Sequence, residues 1–158
     1  MHDNTEKADR RLEIDQNIFA NGLSEVYDER IRDHIASTLN RLPEHDLDYL
    51  LYNRVMRVIQ PVVNTVIVLD DLNLSMRDAQ GRITLLVFHS GLCDKPIYEI
   101  TYTIAHEFAH VFLGHATNDI NADKECEKLA DRQVIEWGFE EELKKTPYNY
   151  IYGEGRLV

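Results

Sequence analysis

The chain has 158 residues, 44% hydrophobic and 28% charged, with a formal net charge of −11 at pH 7. That length suits one domain able to bury a core without staples, and the composition excludes a fibrous or disordered chain. The acidic balance argues against a surface that neutralises nucleic-acid phosphates, which needs clustered Lys and Arg, so no nucleic-acid partner is expected.

Residues 1–10 are polar and charged and read as a solvated, flexible tail, leaving 11–158 as a single domain without internal repeats. From Ser24, a plausible N-cap, Tyr27, Ile31, Ile35 and Leu39 recur at helical spacing until Pro43. A second helix is expected from about Glu44 to Ile59, with Leu47, Leu50, Leu51, Val55, Val58 and Ile59 as its apolar stripe and Pro61 as its stop. Val62 to Leu69 is rich in β-branched residues and ends at Asp70-Asp71, which predicts a strand. Ile83 to Phe88, between Gly81 and His89-Ser90-Gly91, predicts another, able to pair antiparallel with it.

Asp94, two residues before Pro96, is a candidate N-cap for a helix from about Pro96 to Leu113, with Gly114 as a left-handed stop. Ile97, Ile100, Ile104, Phe108, Val111, Phe112 and Leu113 cover most of its circumference, so this helix should run through the interior. A last helix is expected from about Asp123 to Trp137, with Cys126, Leu129, Ala130, Val134 and Trp137 on one face and Gly138 after it.

The interior helix carries His106-Glu107-Phe108-Ala109-His110. Histidines four apart lie about 40 degrees apart around a helix and one turn apart along it, so both imidazoles can reach one ion. Glu107 leaves the same side, near enough to contact a metal-bound water as general base without being a ligand. The bland alternative makes both histidines core residues satisfied by backbone carbonyls. It leaves three ionisable groups in an apolar helix with nothing to offset several kcal/mol of desolvation, whereas a divalent cation offsets it.

A hydrolytic zinc site usually takes three protein ligands and keeps a position for water. His115 does not fit the metzincin spacing, which calls for Gly at 113 and His at 116 where this chain has Leu113 and Ala116. It is better read as a cation at the helix C-terminus, where the dipole favours it. The remaining donors lie in the acidic helix. Glu127 and Asp131, one turn apart, border its apolar face, while Glu125 on the other border suits a solvated face.

His106-Glu107-x-x-His110 followed by Glu127-x-x-Ala130-Asp131 resembles the gluzincin metallopeptidases, and among them the compact ImmA/IrrE-type peptidases and minimal gluzincins. The shared pattern covers roughly Ile83 to Trp137. The resemblance implies an α+β, zincin-like single domain with a small sheet packed on the active-site helix. It makes His106, His110 and Glu127 the ligands of a zinc ion (Zn2+), Glu107 the base toward a zinc-activated water, and Asp131 the hydrogen-bond partner behind a ligand histidine. It also makes Ile83 to Phe88 an edge strand that holds an extended protein or peptide substrate by main-chain hydrogen bonds. A further oxyanion donor is expected, with Tyr148, Tyr150, Tyr152 and His89 as candidates.

Two other readings compete with this one. Zinc ribonucleases of rRNA maturation place a third histidine six residues after the second, at the position of Ala116 here. A non-catalytic binding module or pseudo-peptidase would hold structural zinc in a closed four-ligand site, normally with cysteines, and would need no base. Only Cys93 and Cys126 are present, too few for a disulfide framework. With no secretory signal at the amino terminus and no run near the roughly 20 apolar residues of a membrane span, a cytoplasmic protein without a membrane partner is expected.

Overall fold

The computed structural model describes residues 2–20, 24–26, 28–53, 55–60, 74–77, 83–88, 90–115 and 124–152. Helix α1 (His2–Ile14) runs into a π-helical turn (Asp15–Phe19) and is followed by β1 (Glu25–Val26), α2 (Glu29–Leu39) and α3 (Glu44–Asn53). Then come β2 (Val55–Gln60), β3 (Leu74–Arg77), β4 (Ile83–Val87), a 3-10 turn (Ser90–Asp94), and helices α4 (Ile97–Leu113), α5 (Lys124–Glu136) and α6 (Glu140–Lys145). The strands form one mixed sheet in the order β1-β2-β4-β3, with β2 parallel to β1 and β4 and with β3 antiparallel to β4. Helices with a small mixed sheet make the class α+β. Among the described residues no helix is long and apolar enough to cross a membrane.

Helix α4 is the centre of the molecule, packed on α2, α3, α5, α6 and β3. Ile100, Ile104, Phe108 and Val111 are buried on it, as its nearly continuous apolar surface predicts, and only its ends emerge, at Ile97 and Leu113. Its start is set by Pro96, whose ring disfavours helical backbone at the residue before it. Pro96 is the N-cap and its carbonyl takes the N–H groups of Glu99 and Ile100. Asp94, expected as the cap, belongs to the preceding 3-10 turn.

Other expectations are corrected in the same physical terms. Where a tail was predicted at residues 1–10 the chain is helical from His2, and Arg10 donates to the Leu42 carbonyl at 2.8 Å. Helix α2 begins at Glu29, because Asp28 caps it by accepting the Arg30 N–H at 2.9 Å. Ser24, expected in that role, accepts the Val58 N–H and ties the start of β1 to β2. The second predicted helix stops at Asn53, and its distal half is β2. Val55, Val58 and Ile59 are β-branched, and a central strand with neighbours on both sides buries residues without clean alternation, so they mimic a helical stripe. The predicted strand Val62 to Leu69 lies outside the described residues. Strand β4 is not an edge: it pairs with β2 from Val55↔Ile83 to Ile59↔Val87 and with β3 from Leu74↔Val87 to Arg77↔Thr84. The substrate-edge role expected of Ile83 to Phe88 is therefore overturned, since its backbone groups are already engaged on both sides.

Helix α5 faces α4 through Glu127, Ala130, Asp131 and Val134, the i, i+3, i+4, i+7 stripe of an inward face. Ala130, Asp131 and Val134 are buried, whereas Leu129, expected on the apolar face, is exposed. Buried Asp131 and half-buried Glu127 put two carboxylates on this inward face, and the site explains why.

Candidate metal centre

Helix α4 presents His106 and His110 on one face, one turn apart, and α5 brings Glu127 opposite them. His106 Nε2 lies 2.9 Å from Glu127 Oε2 and 3.1 Å from His110 Nε2, and His110 Nε2 lies 3.4 Å from the same carboxylate oxygen. The three atoms lie within 4.8 Å of one another and form a group able to hold a metal ion. His106 is 6% exposed and His110 3%, so water does little to satisfy them.

The donor set fits a divalent cation. Two imidazole nitrogens and a carboxylate oxygen converge on one point, and one proton can bridge only one of those contacts at a time. An ion engages all three lone pairs together. Two nitrogens and one oxygen with a position left open is the ligand set of catalytic zinc. When protons alone must serve, burial lowers the affinity of His106 for a proton, but its bonds to Asp131 and Glu127 outweigh that and raise its pKa to about 10. Burial pushes Glu127 up, yet the hydrogen bonds from His106 and His110 hold it below the usual carboxylate range.

Glu107 is buried beside this trio and is not one of its converging groups. Burial raises its pKa, and the nearby histidines partly oppose the rise. That suits a base which must accept a proton and give it back.

Asp131 is fully buried behind His106. Its Oδ1 lies 2.9 Å from His106 Nδ1 and accepts the Tyr102 hydroxyl at 2.8 Å, and its Oδ2 accepts the Tyr150 backbone N–H at 2.5 Å. A carboxylate on Nδ1 keeps the proton there and leaves Nε2 bare for a metal. Burial holds the Tyr102 hydroxyl strongly in its protonated, donating form. Tyr150 is brought to Asp131 by the turn after α6, where the Asn149 amide donates to the Leu143 and Thr146 carbonyls.

The five residues of the predicted site are thus together: His106, His110 and Glu127 converge, Glu107 adjoins them, and Asp131 stands behind His106. Glu125 is exposed, as expected of a solvated position. Neither cysteine joins the metal-competent group among the described residues, and the Cys93 thiol donates to Asp28 at 3.3 Å. Of the tyrosines considered, Tyr150 reaches the site, its ring nearly parallel to that of His106 at 6.2 Å. Tyr152 donates to Glu140, Tyr148 is exposed, and His89 lies outside the described residues. The sequence reading missed Tyr102, although its position four residues before His106 on the same helix is a signal that could have found it. His115, read as a helix-terminal cation, places its ring against His110.

Comparison with protein-family models, with curated proteins and with solved structures finds no match.

Proposed function

We propose that this protein is a zinc-dependent metallopeptidase of gluzincin type, with a zincin-like arrangement of sheet and active-site helix. The observation that carries the reading is the convergence of His106 Nε2, His110 Nε2 and Glu127 Oε2 with a buried carboxylate, Glu107, at their side. A structural metal site has no use for that last group, since desolvating a carboxylate that neither binds nor reacts is a net cost.

A bound zinc ion supplies Lewis-acid activation of water and of the scissile carbonyl. Glu107 accepts the proton that the attacking water gives up and returns it to the leaving amine. Asp131, held by Tyr102 and the Tyr150 N–H, keeps His106 in the tautomer that offers Nε2. Cys93 and Cys126 form no disulfide, which suits a reducing compartment, and we place the protein in the cytoplasm on that basis.

Metal analysis of the purified protein, followed by cleavage of a peptide library, tests the reading. Stoichiometric zinc with hydrolysis in wild type, and zinc without hydrolysis in Glu107→Gln, is the expected result. Wild-type hydrolysis in that variant refutes the role of Glu107.

A further inference from the structure

Resting on the metal reading above, we infer that His115 is a positioning residue for His110, performing with a neutral imidazole what Asp131 performs for His106 with a carboxylate. Gly114 sets the geometry. Its φ of 72° is left-handed, a conformation glycine adopts without the penalty of a side chain. The Gly114 N–H returns to the Val111 carbonyl at 3.1 Å and the His115 N–H to the His110 carbonyl at 3.0 Å, which together make a Schellman motif. That motif usually sets an apolar contact between the residue after the glycine and the residue five before it. Here the two residues are His115 and His110, and their Nδ1 atoms lie 2.9 Å apart.

Two nitrogens at that distance share one proton. If His115 donates it, neutral His110 must carry its other proton on Nε2, the atom that faces Glu127 and His106, and cannot ligate there. If His110 donates from Nδ1, its Nε2 lone pair is free to bind and His115 accepts as a neutral ring protonated on Nε2. Metal binding through Nε2 selects the second arrangement. It also excludes His115 as a charged helix-terminal group in the metal-bound protein, because the doubly protonated ring would direct an N–H at His110 Nδ1.

The test titrates zinc alone against a competing chelator in the full chain for wild type, His115→Ala, His115→Asn and His110→Ala, with the melting temperature of each metal-free protein as a control. His115→Ala should bind zinc roughly 10- to 100-fold more weakly at an unchanged metal-free melting temperature. His115→Asn, whose Oδ1 can accept from His110 Nδ1, should recover most of the loss. Wild-type affinity in His115→Ala overturns the inference. So does equal weakening by Ala and Asn, which marks mere packing, and so does a loss as complete as that of His110→Ala, which marks a ligand. Nitrogen-15 spectra of zinc-bound wild type decide the matter even where a variant folds poorly: His110 must carry its proton on Nδ1 and His115 on Nε2, and the reverse assignment overturns the proposal. If wild type binds no zinc, the metal reading itself fails, and that is seen before any variant is compared.

Discussion

At the residue scale, Glu127 and Asp131 are separated by what they touch. Glu127 meets both imidazole Nε2 atoms, whereas Asp131 meets the far nitrogen of His106 and neither Nε2 atom of the converging group. Glu127→Ala should therefore abolish tight zinc binding, and Asp131→Ala should weaken it by roughly 10- to 100-fold. A chelator-competition titration of the two variants checks the order, and equal or reversed effects would exchange their roles. The same contacts set a pH dependence. His106 in the metal-free protein has its pKa raised from 6.5 to about 10, so the stability it contributes is fully present below pH 6.5 and lost as pH rises through about 10. Zinc must displace that proton, so binding at pH 7 should release protons and strengthen as pH rises. Calorimetry in buffers of different ionisation enthalpy measures the release, and a buffer-independent heat would contradict it.

At the scale of elements, the helix ends are set by a few residues whose effects can be weighed. Gly138 closes α5 at φ 85°, and a methyl group built there meets nothing within 4 Å. Gly138→Ala should cost about 1–2 kcal/mol from backbone strain alone, and Gly138→Asn less, since asparagine tolerates that conformation. Chemical denaturation checks this, and a neutral alanine would mean that the turn relaxes. Helix α4 and the spacing from His106 to Asp131 were legible in the sequence because residues on a helix share a face by arithmetic. Strand β2 was not. Val55, Val58 and Ile59 continue the spacing of Leu47 and Leu51, and only pairing with β1 and β4 decides that they are extended. The place of β4 inside the sheet was hidden for a related reason: which strands flank it depends on partners far along the chain. Nor could spacing show the Tyr150 N–H at Asp131, since that contact is made by the backbone of a turn.

At the scale of the whole molecule, the metal site lies between α4 and α5 and should report on the fold as a unit. Zinc at about 100 times its dissociation constant adds about 2.7 kcal/mol to stability, a rise of roughly 5–10 °C in melting temperature for a chain of this size. The rise should vanish with a chelator and be absent in His106→Ala, and scanning calorimetry reads it directly. Metal binding and hydrolysis are joined at Glu107, and peptide turnover by wild type and Glu107→Gln at matched zinc content separates the two. One zinc per chain is expected in both proteins, with turnover only in wild type. Turnover by a Glu107→Gln protein carrying its full zinc, or a zinc-loaded wild type that cleaves no peptide in a diverse library, would contradict it.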